Sequence, residues 1–349
     1  MVITSLSLVL LVTECAMRGF AGPDAMRKPF GVGMWVDTDP VVGWRNRRGY
    51  EDSRFRINSS GFRGPEISRS PDGPRIVCLG DSGTFGVWVS GSAGTPLTHF
   101  DGYPAEMRRL APDYGVAEVI NTGVVGYNSS NGLRLLRTEI VDLDPDIVTI
   151  RFGVNDHRLS GNPNRRVAEP PNVLLRTLLY TLSDLQLFRV GLEAWTMAPI
   201  HPKNFSVKWV TPERFELNLR RFGQIARRHG IKLLLIDTPL RPIGRGENKH
   251  DQRVYMQAGY RTLADFHRSH GRYQALIAKV AAEEGLALLK TDALLAGSER
   301  AFFSDYDFVH PNRDGARVLG AAVLKELTRL GWIPGPDEGG RPLHTGTSP

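Results

Sequence analysis

Residues 76–83 have the sequence IVCLGDSG, in which four apolar residues run into a glycine and then into Asp81 and Ser82. A short apolar run that ends in glycine is typical of a parallel strand buried on both faces of a sheet. Similar runs recur at 117–120, 147–152, 231–236 and 286–289, and helical patterns separate them. Alternating strands and helices predict an α/β fold with an open, mostly parallel, five-stranded sheet.

Two of the helices have clear boundary signals. Thr211 and Pro212 supply a capping hydroxyl and a first-turn proline for a helix that Gly230 ends. A last helix is expected from about Gly315 to Leu330, with its apolar residues on one side. Such one-sided helices are the elements that cover the faces of a parallel sheet.

The composition of the 349-residue chain is ordinary for a globular protein. With 41% hydrophobic and 23% charged residues, it excludes wholesale disorder, collagen and coiled coil. The net charge of +7 is compatible with anionic surfaces without selecting one, and no nucleic-acid module is recognisable, so no nucleic acid is expected as a partner. Cys15 and Cys78 are too few for a disulfide framework, and the histidines form no metal-ligand pattern. We therefore expect no metal and no cofactor, and the sequence indicates no oligomeric state.

Other segments flank or interrupt the α/β pattern. The uncharged apolar run at 2–12 has the length of a signal-peptide core, and the alternative is a helix that packs on the domain. From the sequence we expect a hydrophobic signal or membrane-anchor segment at 1–20 and an irregular lead-in at 21–74. The α/β domain is expected at 75–332, with an insertion at 157–210 that has an apolar, helical part. Residues 333–349 are expected to form a disordered tail.

Chemically active residues follow the predicted strands. In open α/β sheets, ligands bind beyond the carboxyl ends of the strands. The segments found there, or just before the last helix, are Gly80-Asp81-Ser82-Gly83, the loop with Gly126, Gly153-Val154-Asn155-Asp156, and Asp307-Phe308-Val309-His310-Pro311.

These segments contain the parts that a serine nucleophile needs. Glycines on both sides of Ser82 permit the sharp turn that exposes its hydroxyl group. His310 can act as its base, and Asp307 lies three residues earlier, a spacing at which a turn brings the two side chains together. Asp305 competes for this carboxylate role but lacks the three-residue spacing.

The same strand ends supply hydrogen-bond donors for a developing oxyanion. The backbone N–H groups of Ser82 and Gly126 and the side-chain amide of Asn155 can converge there. Asp81 and Asp156 are expected to support the site, with Asp81 bracing the turn at Ser82. For Arg151, next to this site, a solvated or satisfied structural role is expected.

The four blocks, in this order, resemble the SGNH (GDSL-type) hydrolase/esterase superfamily. Each block alone is a common turn or cap, but their joint occurrence at predicted element boundaries is specific. The resemblance covers roughly residues 75–332, and Gly83 stands where leucine often stands in the eponymous motif. It implies a flavodoxin-like three-layer α/β/α sandwich, with Ser82 as nucleophile, His310 as base and Asp307 as its partner. It also implies an oxyanion hole formed by Ser82, Gly126 and Asn155.

The function implied by this resemblance is that of a serine esterase or acylhydrolase that works through an acyl-enzyme. Its substrates are expected to be small-molecule, lipid or glycan esters, as for a carbohydrate O-acetyl esterase or a lipase. The alternatives are an O-acyltransferase acting on a glycan and a catalytically silent carbohydrate-binding protein. The stretch 56–63 resembles a lead-in of exported bacterial members. An exported or membrane-anchored protein facing the periplasm or the extracellular side is therefore expected, with membrane association through the N-terminus, and a cytoplasmic location is the alternative.

Overall fold

The computed structural model describes most of the chain between residues 35 and 336. The described residues are 35–90, 97–159, 173–183, 208–242, 249–291 and 302–336, together with 9, 11–16, 19, 185, 187–188, 191 and 294.

Strands and helices alternate through these residues. The strands are β1 (Val36–Asp39), β2 (Gly43–Asn46), β3 (Arg75–Gly80), β4 (Val87–Ser90), β5 (Leu97–Phe100), β6 (Glu118–Asn121), β7 (Ile147–Arg151), β8 (Lys232–Ile236) and β9 (Ala287–Leu289). The helices are α1 (Ser82–Phe85), α2 (Tyr103–Leu110), α3 (Ser129–Leu135), α4 (Val173–Ser183), α5 (Pro212–Arg228), α6 (Lys249–Gln257), α7 (Leu263–Glu284) and α8 (Arg313–Arg329).

The central sheet has five strands in the order β6-β3-β7-β8-β9. All of its neighbouring strands pair in parallel, and every residue of β3 and β7 is buried. This is the flavodoxin-like order, in which the chain reverses direction across the sheet next to the first strand. The predicted α/β sandwich is thus confirmed, with a sheet that is parallel throughout.

Side chains of the sheet alternate between two cores, one on each face. Val77 and Leu79 of β3 point into a core that also contains residues of α3, α5 and α7. Ile76 and Cys78 point into the opposite core, formed with α2 and α8. Cys78 is fully buried, and its burial raises the thiol pKa to about 12, so it packs as an apolar side chain. The helices therefore form two outer layers around the sheet.

Side-chain caps set the helix boundaries. The Thr211 hydroxyl accepts a hydrogen bond from the Arg214 N–H at 3.3 Å, so α5 begins at Pro212, as predicted. Helix α8 begins at Arg313, two residues before the predicted start, because the Asn312 side chain caps it by accepting from the Gly315 N–H at 2.8 Å.

The lead-in belongs to the same body as the sheet. Strands β1 and β2 form an antiparallel hairpin. Val36, Val42, Trp44 and Phe62 are buried in the core that contains β3. The body therefore begins well before the predicted boundary at residue 75. The short apolar stretches here have no periodicity of their own, because the sheet and its loops determine which of their side chains are buried.

The ends of the insertion lie against each other. The Trp209 N–H donates to the Arg158 carbonyl at 2.8 Å, and the Val210 N–H donates to the Asp156 carbonyl at 3.0 Å. The insertion thus begins and ends at the same place on the domain, next to Asn155. Its helical part includes α4, and most of its other residues lie outside the described ones.

The two termini of the chain are described only in part. Ile333 is buried beside α8, so the body extends past the predicted boundary at residue 332, while residues 337–349 lie outside the described ones. Of the predicted hydrophobic segment 1–20, only residues 9, 11–16 and 19 are described. None of the described helices is both long enough and apolar enough to cross a membrane.

Candidate active site

The turn after β3 presents Ser82 at the carboxyl edge of the sheet. Asp81 caps α1 by accepting a hydrogen bond from the Gly83 N–H at 2.9 Å, and Ser82 is the first helical residue. A Cβ atom on Gly83 would lie 2.0 Å from Arg151 Nη1, and one on Gly80 would lie 2.1 Å from Thr84 Oγ1. The flanking glycines are therefore required by close packing beneath the turn rather than by an unusual φ angle.

Ser82, His310 and Asp307 form one hydrogen-bonded chain. Ser82 Oγ lies 2.8 Å from His310 Nε2, and His310 Nδ1 lies 2.9 Å from Asp307 Oδ2. Because ionised Asp307 can only accept, His310 carries a proton on Nδ1 and presents Nε2 to the serine hydroxyl. The structure thus brings together the three residues that the sequence singled out, 228 positions apart at the widest.

Asp307 is buried and held by backbone donors. Its Oδ1 accepts from the N–H groups of Val309 and His310, each at 3.0 Å, and its Oδ2 accepts from the Val89 N–H at 3.1 Å. Burial alone would raise the pKa of Asp307, but the charge and hydrogen bond of His310 and these donors outweigh it and lower the pKa. Asp305, the rival carboxylate in the sequence, is exposed. Asp307 is therefore the ionised partner of the histidine.

The electrostatics of His310 follow from this arrangement. Burial lowers the pKa of a histidine, yet the charge and hydrogen bond of Asp307 outweigh that effect and raise the pKa of His310. Asp81 adds to the rise and Arg151 opposes it. The Asp307 charge thus stabilises the imidazolium form of His310 against the effect of burial.

The predicted oxyanion donors lie on adjacent loops. Asn155 is 5% exposed, and its Nδ2 donates to the Tyr127 carbonyl at 2.9 Å, which leaves its second amide hydrogen for another acceptor. Gly126 lies one residue before Tyr127 and has a φ of +83°. Within the described part of the chain, no protein acceptor pairs with the N–H of Ser82 or of Gly126. The Asn155 side chain is thus hydrogen-bonded to the Gly126 loop. The N–H groups of Ser82 and Gly126 are available to donate to a ligand.

Asp156 ties this region to α3, and its surroundings raise its pKa. Its Oδ1 accepts from the Ser129 N–H at 2.9 Å at the start of the helix. Complete burial, with a contribution from the charge of Asp81, raises the pKa of Asp156 to about 7. The supporting role expected for Asp156 stays a prediction, and the contact that the structure shows is the one to Ser129.

Three contributions to the site carried no recognised sequence signal. Arg151 is 2% exposed, with Nη1 3.8 Å from Asp81 Oδ1, rather than solvated. Val89 lies on β4, which pairs antiparallel with β5, and neither strand has alternating apolar and polar residues that would mark it. Trp44 contacts the Gly126 loop from β2. Arg151 had one cue, since a charged residue at the end of a buried strand needs a charged partner.

Comparison with known families defines the class of this protein. The sequence profile of the GDSL-like Lipase/Acylhydrolase family matches residues 78–318. That match, on a three-layer α/β/α fold, makes the protein a hydrolase of ester bonds. The chain belongs to the GDSL-like lipase/acylhydrolase family, and the resemblance to SGNH hydrolases is confirmed.

Solved structures with a similar fold include three hydrolases. A lipase/acylhydrolase from Enterococcus faecalis is 18% identical, with a TM-score of 0.45, over 76% of this chain and 100% of that one. LAE5, an alpha/beta hydrolase enzyme from the metagenome of Lake Arreo, Spain, is 17% identical, with a TM-score of 0.46, over 75% and 98% of the two chains. Axe2, an acetylxylan esterase from Geobacillus stearothermophilus, is 18% identical, with a TM-score of 0.43, over 74% and 95%. The comparison with curated proteins found no match.

Proposed function

We propose that the protein cleaves carboxylic esters through an acyl-enzyme on Ser82. The observation that carries this proposal is the continuous hydrogen-bonded chain from Ser82 Oγ through the imidazole of His310 to Asp307, with separations of 2.8 and 2.9 Å. A serine hydroxyl is a weak nucleophile unless an adjacent base removes its proton, and His310 is placed to do so.

Acylation follows from this geometry. His310 Nε2 takes the proton of Ser82 Oγ while that oxygen forms a bond to the ester carbonyl carbon. The carbonyl oxygen becomes an oxyanion, and Asp307 stabilises the imidazolium. When the tetrahedral intermediate collapses, the bond from carbon to the leaving oxygen breaks, and His310 gives its proton to the departing alcohol.

Deacylation repeats the sequence with water. His310 removes a proton from a water molecule whose oxygen attacks the acyl carbon, and the Ser82–acyl bond then breaks. His310 returns the proton to Ser82 Oγ, and the carboxylic acid leaves. In both halves the N–H groups of Ser82 and Gly126 and the free amide hydrogen of Asn155 are the proposed donors to the oxyanion.

Ser82→Ala tests the proposal. Without the nucleophile, turnover of a short-chain aryl ester should fall by a factor on the order of 10³ or more, measured by release of the phenol from purified enzyme. A fluorophosphonate probe should label the wild type at Ser82 and leave the variant unlabelled, as read by mass spectrometry.

Ser90→Ala is the matched control. Ser90 Oγ lies 2.6 Å from His99 Nε2, which makes it the rival serine–histidine contact in the described structure. We expect Ser90→Ala to retain wild-type turnover, because no carboxylate among the described residues completes a chain through His99. Full activity of Ser82→Ala, or loss of activity in Ser90→Ala alone, would contradict the proposal.

A chain-length series of aryl esters, run beside an acetylated polysaccharide, assigns the substrate class. A preference for acetyl over octanoyl esters identifies a sugar O-acetyl esterase, and the reverse identifies a lipase. The Ser82→Ala variant supplies the background rate for each ester.

A further inference from the structure

We propose that Trp44 is a positioning residue for the reaction: by holding the peptide unit between Val125 and Gly126, it aims the Gly126 N–H at the reacting oxygen. Trp44 lies on β2, outside the region that the family profile matches. The inference rests on the proposed function, because it concerns one of the proposed oxyanion donors.

Trp44 is a buried residue that contacts the Gly126 loop with its indole and its backbone. Its Nε1 donates to the Val125 carbonyl at 2.9 Å, and its own carbonyl accepts from the Tyr127 hydroxyl at 2.5 Å. The indole also meets the Tyr127 ring edge to face, with centroids 5.5 Å apart. Trp44 is 4% exposed, so these contacts are shielded from water.

Because a peptide unit is planar, the hydrogen bond from Trp44 Nε1 also fixes the direction of the Gly126 N–H. The bond between Val125 and Gly126 is trans. In a planar trans peptide the C=O of one residue and the N–H of the next point in opposite directions. A donor fixed on the Val125 oxygen therefore orients the Gly126 N–H away from Trp44. The same hydrogen bond polarises the peptide and strengthens that N–H as a donor.

Gly126 is suited to this contact by its lack of a side chain. Its φ of +83° lies in the left-handed region, and a Cβ atom there would be 3.3 Å from Trp44 Cζ2. A side chain at this position would strain the backbone and push against the indole. The close contact with the Trp44 indole therefore favours glycine at position 126.

The neighbouring peptides of the loop have other anchors. The Gly123 carbonyl accepts from Asn46 Nδ2 at 3.0 Å, and the Tyr127 carbonyl accepts from Asn155 Nδ2 at 2.9 Å. Within the described residues, the Val125 carbonyl has no donor other than Trp44. Loss of the indole N–H therefore frees the peptide that bears the proposed oxyanion donor, while the rest of the loop stays attached.

Trp44→Phe removes the N–H donor and keeps one aromatic ring, and the accompanying loss of ring volume is shared with the same substitution at Trp332, which serves as the control below. We expect kcat per active site to fall about ten-fold, with KM changed less than two-fold, since the Gly126 N–H gains its full value only in the transition state. Active sites are counted by fluorophosphonate labelling of Ser82, so that partial unfolding does not register as lower kcat.

A transition-state analogue gives a second readout. An arylboronic acid forms a tetrahedral adduct with a serine nucleophile, and one adduct oxygen occupies the oxyanion position. Its inhibition constant should rise by about the same factor as kcat/KM falls. Trp332→Phe is the control, because Trp332 packs at the edge of the core on the opposite face of the sheet. It should leave both quantities unchanged.

The outcomes are distinct. An active wild type with unchanged kcat and boronate affinity in Trp44→Phe overturns the inference alone. Equal losses in Trp44→Phe and Trp332→Phe also overturn it, since they indicate general destabilisation. A wild type that neither turns over esters nor labels at Ser82 overturns the proposed function, and the inference with it.

Discussion

At the scale of single residues, the Asp307 carboxylate is held by four hydrogen bonds. It accepts hydrogen bonds from three backbone N–H groups and from the imidazole of His310, so it stays ionised and cannot rotate away. In the proposed mechanism, this carboxylate selects the imidazole tautomer and stabilises the imidazolium. The activity and its pH dependence should therefore both depend on Asp307.

Replacing Asp307 with asparagine should lower kcat by a factor on the order of 10³ to 10⁴, because an amide can donate to His310 Nδ1 and favour the wrong tautomer. The pH profile should shift as well. In the wild type the pKa of His310 is raised, so kcat/KM should increase with pH through a midpoint above the ordinary histidine value of about 6.5. Without the Asp307 charge, burial dominates and the midpoint should move to lower pH.

Asp305→Asn is the control for this prediction, because Asp305 is an exposed carboxylate two residues away. Its rate and its pH midpoint, measured on the same ester, should match those of the wild type. An Asp307→Asn midpoint that stays in place would show that Asp307 does not set the pKa of His310.

At the scale of elements, the loop with His310 depends on the packing of α8 against α2. Helix α8 begins three residues after His310, and it approaches α2 so closely that Gly320 has no room for a side chain. A Cβ atom there would lie 2.8 Å from both the Tyr103 carbonyl oxygen and Glu106 Cβ. One of these atoms is backbone and the other is attached directly to the backbone, so neither can move away unless α2 itself shifts.

Two glycine-to-alanine substitutions in helices should therefore have opposite effects on stability. Gly320→Ala should lower the free energy of unfolding by about 1–3 kcal/mol, because overpacking outweighs the better helix propensity of alanine. Gly271→Ala in α7 should raise it by about 0.5–1 kcal/mol, because nothing lies within 4 Å of the added methyl group. Urea denaturation of the two variants beside the wild type measures both values. Stabilisation by Gly320→Ala would disprove the close approach.

At the scale of the whole molecule, the lead-in is joined to the sheet domain by Arg63. Its guanidinium donates to the carbonyls of Phe85 and Phe100, at the end of α1 and in β5. It also lies over the Phe55 and Phe85 rings, 5.6 and 5.0 Å from their centroids. Burial lowers the pKa of Arg63 to about 10, which still leaves it charged at neutral pH. Arg63 thus connects residues before the sheet with the segment that follows Ser82.

Arg63→Met should lower the free energy of unfolding by about 2–4 kcal/mol, because the Phe85 and Phe100 carbonyls both lose the guanidinium as donor and Phe85 keeps only a long contact, at 3.5 Å, from Asn121 Nδ2. Arg56→Met is the matched control: Arg56 lies in the same stretch but is exposed, so its loss should change stability by less than about 0.5 kcal/mol. Thermal unfolding followed by circular dichroism compares the two. Equal melting temperatures would mean that the lead-in does not depend on Arg63.

Some parts of the fold and of the candidate site could be predicted because their signals are local. The five apolar runs became the five strands of the sheet, and the Thr211–Pro212 pair marked the start of α5. The Asp307–His310 contact spans only three residues, which a turn closes. In contrast, Val89 meets Asp307 across 218 positions, and Trp44 meets Val125 across 81. Contacts of that range leave no spacing pattern in a single sequence.

The sequence by itself determined the α/β class and the order of the elements, and it singled out the serine, histidine and aspartate of the candidate site. Hydrophobic periodicity and turn chemistry depend on residues only a few positions apart, so they can be recognised in the sequence alone. Only the tertiary structure decided that the lead-in is part of the body, that Arg151 lies buried beneath the turn at Ser82, and that the Trp44 indole donates to the Val125 carbonyl. The physical reason is that burial and the direction of a hydrogen bond depend on which distant segments meet, and a residue acquires both only when the chain has folded.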